Sequence, residues 1–174
     1  MIRAFISIDP PEDVVNKIKE IQDSLPNFKG KKTEVENLHL TLKFLGNIDE
    51  KTLELVKQKL RKINFRKFEA EVDSLGVFSP KFIKIIWLHI KGPEKIQSEI
   101  DVSLSDLFEK EKRFMSHMTI ARVKKIENKK NFLEQLKKIK IPKIKFIVEN
   151  FKLKKSTPTE EKPIYETIES YSLK

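Results

Sequence analysis

A short motif that occurs twice constrains this chain more than any other feature. His-Leu-Thr-Leu begins at His39 and His-Met-Thr-Ile begins at His117. Each copy falls on the same element of a repeated order of predicted strands and helices. A duplicated α+β unit can bring equivalent strands together across a pseudo-twofold cleft. We therefore predict one bilobal α+β domain over 1–174, with pseudo-repeat halves of about 1–79 and 80–174.

Alternation, helical periodicity and turn residues predict the individual elements. In the predicted bilobal α+β domain, two antiparallel sheets are expected to face a central cleft, with the helices on the outside. Asp9 is expected to cap the first helix and Asp49 the second, while 26–32 is expected to be a loop. The predicted strands are 2–8, 38–46, 65–78, 81–90, 114–123, 143–154 and 163–173. The predicted helices end near residues 25, 60, 111 and 139.

Side chains alternate along a strand, so each motif should have one polar and one apolar face. His39, Thr41 and Lys43 are expected on one face, with Phe44 in the core. Lys43 would then either contact a ligand in the cleft or be a solvated lysine at the cleft rim. His117 and Thr119 are expected to share the equivalent face of their strand.

Strict alternation places Arg122 on the face away from His117. Substrate contact by Arg122 therefore requires a twist, a bulge or a nearby strand end, and the alternative is a structural ion pair. The third histidine, His89, has no threonine two residues later, so we predict a structural role for it.

A pair of imidazoles suits the cleavage of a phosphodiester near neutral pH. One neutral ring can deprotonate the attacking oxygen while one protonated ring protonates the leaving oxygen. The hydroxyls of Thr41 and Thr119 can donate to the non-bridging phosphate oxygens as charge builds. No metal or cofactor is expected to be needed.

The chain resembles the two-histidine (2H) phosphoesterases, and within them the LigT-like RNA 2′,3′-cyclic phosphodiesterases. The resemblance spans nearly the whole chain and includes the segments IRAFISID, NLHLTLKFLGN, FSP, FMSHMTIAR and FKLKKS. It departs at Ser116, since a proline commonly precedes the second histidine in this family.

This resemblance implies hydrolysis of a terminal 2′,3′-cyclic phosphate of RNA to a 2′-phosphate. It also implies that His39 is the proton donor and His117 the proton acceptor, whereas the motifs alone leave these roles open. Thr41, Thr119, Lys43 and Arg122 are the expected phosphate-binding residues. Reverse 2′,5′ ligation, a small cyclic nucleotide or ADP-ribose cyclic phosphate as substrate, and a non-catalytic RNA-binding module remain as alternatives.

The charge balance bears on the partner and the compartment. A net charge of +10 favours a polyanion, and RNA with cyclic phosphate ends, including tRNA fragments, is the expected partner. The abundance of Lys, Glu and Ile without Cys also resembles thermophile composition, which weakens the argument from charge. We expect a cytoplasmic protein with no membrane partner, because no signal peptide or apolar span is present. We also expect it to be a monomer.

Overall fold

The computed structural model describes residues 1–174 as four α-helices on a curled antiparallel sheet. The predicted α+β class is therefore confirmed. The strands are β1 (Ile2–Ile8), β2 (Lys29–Lys32), β3 (Leu40–Ile48), β4 (Phe68–Val77), β5 (Ile85–Lys91), β6 (His117–Lys125), β7 (Ile144–Val148), β8 (Asn150–Thr157) and β9 (Ile164–Ser172). The helices are α1 (Glu12–Asp23), α2 (Glu50–Arg61), α3 (Glu94–Ser103) and α4 (Lys129–Lys138).

Instead of two separate sheets, the strands form one sheet in the order β7-β4-β5-β6-β3-β1-β8-β9, with β2 added to β6. We call β3, β1, β8 and β9 the first half-sheet, and β6, β5, β4 and β7 the second half-sheet. They meet where β3 and β6 pair, at a single pair of partners, Leu40 and Met118. Both of these side chains are buried.

The half-sheets do not follow the order of the chain. The strand β4 precedes the midpoint of the sequence but pairs with β5 and β7, while β8 comes late and pairs with β1. The helices also cross over, since α1 follows β1 but packs against β6 and β7, whereas α3 follows β5 but packs against β3. One continuous hydrophobic cluster of 36 buried residues underlies both half-sheets, so the two halves share one core.

Several predicted boundaries were wrong. The predicted loop 26–32 contains β2, which pairs with β6, and the predicted strand 143–154 is two strands separated at Glu149. The helix expected to reach residue 111 ends at Ser103. Asp49 caps α2 by accepting a hydrogen bond from the N–H of Thr52, as predicted.

Asp9 does not cap α1. The residue at the helix start is Pro11, which provides no side-chain hydrogen bond. Asp9 instead accepts hydrogen bonds from the ammonium groups of Lys152 and Lys154 on β8, at 2.9 and 2.6 Å. Two ammonium groups are stronger partners for a carboxylate than a neutral backbone N–H, so the ion pairs outcompete the cap.

Each histidine strand contains a bulge at the third residue after its histidine. In β3, Thr41 pairs with Ser7 and Lys43 with Ile6, so Leu42 has no partner on β1. In β6, Thr119 pairs with Trp87 and Ala121 with Ile86, so Ile120 has no partner on β5. A bulge reverses the facing of every later side chain. The alternation predicted from the sequence therefore fails beyond the bulge in both strands.

The bulge overturns the prediction that Lys43 lies in the cleft beside His39 and Thr41. The Lys43 side chain turns into the interior, where it is 2% exposed and its Nζ lies 2.5 Å from Oδ1 of Asp101 on α3. It also donates to the backbone oxygen of Glu109. Phe44, expected in the core, is instead 68% exposed.

Asp101 joins these groups into one buried polar network. Its Oδ2 accepts hydrogen bonds from the Gln97 side-chain amide at 2.8 Å and from the N–H of Glu111 at 2.9 Å. Burial alone would raise the pKa of Asp101, but the hydrogen bonds from Lys43, Glu111 and Gln97 lower it below the ordinary value. The network ties β3 to α3 and to the segment that leads into β6.

We predict that Lys43→Met destabilises the protein by about 3–5 kcal/mol, because it leaves Asp101 charged, buried and without its ammonium partner. The free energy of unfolding from urea denaturation measures this loss. Lys43→Met/Asp101→Asn should recover part of it, since the remaining amide is neutral.

The matched control for this measurement is Lys67→Met. Lys67 pairs with Glu149 where the two side chains are 47% and 64% exposed, so its loss should cost less than about 1 kcal/mol. Equal stability losses for Lys67→Met and Lys43→Met would contradict the assignment of Lys43 to the buried network.

Candidate active site

The concave face of the sheet encloses a cavity of about 570 Å³ at the junction of the two half-sheets. His39 precedes β3 and His117 begins β6, and both line this cavity with Thr41 and Thr119. The structure thus brings together the four residues of the two motifs.

The single pairing between the half-sheets explains this arrangement. Leu40 and Met118 are partners and point into the core, so the residues on either side of each point into the cleft. Because the strands run antiparallel, His39 lies across from Thr119 and Thr41 lies across from His117.

Both imidazoles are oriented by the same backbone contact. Nδ1 of His39 lies 2.7 Å from the carbonyl oxygen of Asn37, and Nδ1 of His117 lies 2.8 Å from that of Met115. A carbonyl oxygen only accepts, so Nδ1 carries the proton in each ring. The neutral form then has a free lone pair on Nε2, the nitrogen available for acid–base chemistry.

The surroundings of the two histidines differ. The His39 ring is enclosed by Phe5 and Tyr165, each with its ring centroid 5.0 Å away. The His39 Nε2 lies 3.1 Å from the Thr41 hydroxyl, which donates to it when the ring is neutral. The ring of Phe78 lies edge-on to His117, with the centroids also 5.0 Å apart.

These surroundings change the proton affinity of His39. Desolvation by burial, together with the positive charges of Lys154 and Arg122, lowers the pKa of His39 from 6.5 to about 4. The Asn37 carbonyl and Asp9 oppose this shift without cancelling it. In the absence of substrate, His39 is therefore a neutral imidazole at neutral pH.

The bulge in β6 places Arg122 among the residues that line the cavity. Its side chain takes part in no ion pair with a carboxylate. Phe44 and Arg122 occupy the same position, five residues after their histidines, and both line the cleft. At this position the first half-sheet therefore presents an aromatic ring to the cleft, and the second half-sheet presents a guanidinium group.

Sequence reasoning missed several residues that line the cavity. They share either an aromatic ring or a positive charge, and they are Arg3, Phe5, Lys31, Lys32, Phe44, Phe78, Lys162 and Tyr165. Among them, Lys31 and Lys32 belong to the strand that was predicted as a loop. The lining also contains two carboxylates, Glu34 and Glu161, so positive charge predominates.

Lys43 and His89 do not line the cavity. The Nδ1 of His89 lies 2.6 Å from Oδ1 of Asp73 on the neighbouring strand. The acidic and histidine side chains form no cluster of three or more that could hold a metal ion. None of the four helices has both the length and the apolar character needed to cross a bilayer.

Comparison with known proteins identifies similar chains. Residues 8–87 and 92–165 match the family model described as LigT like Phosphoesterase. A Methanocaldococcus jannaschii protein named RNA 2′,3′-cyclic phosphodiesterase is 34% identical over 98% of this chain and 100% of its own. A Thermotoga maritima protein of the same name is 32% identical over 96% of this chain and 93% of its own.

Solved structures share the fold. A Thermus thermophilus protein superposes with a TM-score of 0.81 at 22% identity, covering 98% of this chain and 97% of its own. Escherichia coli LigT complexed with 3′-AMP gives a TM-score of 0.78 at 20% identity, covering 99% of this chain and 98% of its own. These likenesses extend over both half-sheets.

We predict that His39 titrates near pH 4 in the ligand-free protein, because burial disfavours the imidazolium. Histidine-selective NMR over pH 3–9 measures this, with His39→Gln identifying the resonance. Saturation with inorganic phosphate should move the His39 midpoint upwards, since a nearby anion stabilises the charged ring. A midpoint near 6.5 in the ligand-free protein would contradict the enclosed environment of His39.

Proposed function

Because the chain belongs to the LigT-like phosphoesterase family, we propose that it hydrolyses the 2′,3′-cyclic phosphate ends of RNA to 2′-phosphomonoesters. The relatives named RNA 2′,3′-cyclic phosphodiesterase match over nearly their full lengths, which supports the same activity here. RNA with cyclic phosphate ends is thus the proposed partner, with tRNA fragments as one source.

The observation that carries the proposal is the arrangement of the two motifs. Two imidazoles with their Nδ1 atoms tied to backbone carbonyls line one cavity, and each lies across from a threonine of the other motif. An acid and a base on opposite sides of a phosphorus atom suit in-line displacement. The excess of positive charge in the lining suits an anionic substrate.

In the proposed reaction, Nε2 of His117 takes a proton from a water molecule as the water oxygen attacks phosphorus. The bond between phosphorus and the 3′-oxygen breaks, and Nε2 of His39 protonates that oxygen. The products are a 3′-hydroxyl and a 2′-phosphate. Two positioned proton transfers of this kind contribute about 10²–10⁴-fold each.

The environment of His39 sets a condition on its proposed role. A ring with a pKa of about 4 is unprotonated in the empty cavity, so it needs the substrate to become an acid. The anionic phosphodiester can promote protonation of His39, because a negative charge close to the ring stabilises the imidazolium and so raises the pKa of His39. Binding the substrate would therefore convert His39 from a neutral ring into a proton donor.

Thr41, Thr119 and Arg122 are proposed to hold the phosphate. The two hydroxyls lie beside the histidines and can donate to the non-bridging oxygens as negative charge develops. Arg122 lines the same cavity and forms no ion pair that would have to break before it binds an anion. Thr41 must release the Nε2 of His39 when it turns to the phosphate.

The proposal assigns the reaction to the protein's own side chains, with no metal or cofactor, in a cytoplasmic monomer. A chelator should then leave the rate unchanged, and light scattering should give the mass of one chain, 20.5 kDa. If a 5′-hydroxyl takes the place of the attacking water, the same histidines can join a cyclic phosphate end to it: the bond from phosphorus to the 3′-oxygen breaks and a 2′,5′ bond forms.

We predict that His39→Gln and His117→Gln each lower kcat by about 10²–10⁴-fold on a short RNA with a 2′,3′-cyclic end, because each removes one proton transfer. Chromatography of the products measures the rate and locates the phosphate. His89→Gln is the matched control and should retain activity, since His89 lies outside the cavity. A 3′-phosphate product, or full activity of either cleft variant, would refute the mechanism.

The assignment of acid and base has a separate test, a substrate in which sulfur replaces the 3′-oxygen. A thiolate leaves without protonation, so loss of the acid should matter little with this substrate. We predict that His39→Gln recovers most of its rate on the sulfur substrate while His117→Gln does not. The opposite pattern would exchange the two roles and leave the two-histidine mechanism standing.

A further inference from the structure

We propose that a second cavity, at the end of the ladder between β2 and β6, is a subsite for the RNA nucleotides that precede the cyclic end. This inference rests on the proposed function, because it gives the direction in which the RNA leaves the active site. The cavity measures about 470 Å³ and lies where β6 passes into α4.

The first argument comes from charges that oppose each other across the ladder. Lys29 pairs with Lys125 and Lys31 pairs with Arg122. Like charges placed directly across a strand pair are destabilising. Lys29, Lys125 and Arg122 form no ion pair with any carboxylate, and Lys31 donates only to the backbone oxygen of Glu161. An anion bound between the two cations of each pair would relieve this repulsion.

The ladder holds the opposed cations close together. A Cβ atom at Gly30 would lie 2.2 Å from the carbonyl oxygen of Arg122. Any residue other than glycine would therefore clash with the backbone of β6 at this position. The φ of Gly30, +156°, is also one that other residues rarely adopt. Gly30 therefore permits the tight approach that sets Lys31 opposite Arg122 and Lys29 opposite Lys125.

The second argument is continuity with the active site. Lys31 and Arg122 line the catalytic cavity, whereas Lys29 and Lys125 line the second one. The two cation pairs are two residues apart along β2, or about 7 Å at ~3.3 Å per residue. This separation is comparable to that between successive phosphates of an extended single strand. A backbone bound at the first pair can therefore reach the second.

The third argument is the lining of the second cavity, which suits a nucleobase beside the phosphate. Phe28 and Phe132 form its apolar side, with their rings edge to face at 6.4 Å. The side-chain amides that line it can donate to and accept from base edges, and they belong to Asn27, Asn128, Asn131 and Gln135. Glu127 is the only carboxylate in the lining, which also contains Lys29 and Lys125, so the net charge of the lining is positive.

The test compares Lys29→Ala/Lys125→Ala with wild type on two substrates, a 2′,3′-cyclic mononucleotide and a trinucleotide with the same cyclic end. We expect kcat/KM for the trinucleotide to fall about 10-fold more than that for the mononucleotide, because only the trinucleotide reaches the second pair. The salt dependence of trinucleotide turnover should also become shallower by a slope of about 0.7, since the one phosphate contact made by this pair is lost.

The control is Lys51→Ala/Lys62→Ala, which removes the same charge from α2 and its C-terminal cap, where both lysines are exposed and take part in no ion pair. It should retain the wild-type ratio between the two substrates. A wild-type ratio in Lys29→Ala/Lys125→Ala, or an equal change in the control, would overturn the subsite. Thermal unfolding verifies that both variants remain folded.

Equilibrium binding separates this inference from the proposed function. If wild type hydrolyses neither substrate, the proposed function fails. Fluorescence anisotropy with a labelled trinucleotide that ends in a 3′-hydroxyl then tests RNA binding at the subsite independently of hydrolysis. Lys29→Ala/Lys125→Ala should then bind that RNA about 10-fold more weakly. A variant that loses affinity for inorganic phosphate but binds the RNA normally would identify a free-phosphate site and refute the RNA subsite.

Discussion

The structure depends on one pair of residues, Leu40 and Met118, where the two half-sheets meet. Their side chains are buried in the shared core, and this burial fixes the orientation of the residues on either side. A shift of one residue in this pairing would turn one strand over relative to the other, so that one of the two histidines would point into the interior and one apolar side chain into the cleft. The energy of core packing thus enforces the geometry of the site.

The sequence predicted those features that depend on local patterns. It located the two motifs, most of the strands, the cap at Asp49 and the α+β class, because alternation and capping are visible over a few residues. It misplaced Lys43 and Phe44 because a bulge depends on the register of two strands, which one segment of sequence does not display. The pairing of β2 with β6 and the crossing of the helices are equally long-range, so no local signal revealed them.

The two motifs are alike in sequence but differ in their surroundings. His39 is enclosed by two aromatic rings and a hydroxyl, whereas the aromatic contact of His117 is a single ring. The positions five residues after them diverge as well, into an aromatic ring at Phe44 and a guanidinium at Arg122. Two similar motifs can thereby present two chemically distinct sides to one phosphate, which an asymmetric reaction requires.

The crossed packing of α1 and α3 has a consequence for how the chain folds. The strand of each histidine is covered by a helix that follows a strand of the other half-sheet: α1 covers β6 and α3 covers β3. The side-chain amide of Gln22 on α1 also holds α1 to β6 by donating a hydrogen bond to the carbonyl oxygen of the bulged residue Ile120. A fragment with only one motif would lack its covering helix and would leave the apolar face of that strand in water. Neither histidine can therefore acquire its final surroundings before distant parts of the chain have met, a requirement that slows folding. During synthesis, the active site would be among the last parts of the molecule to form.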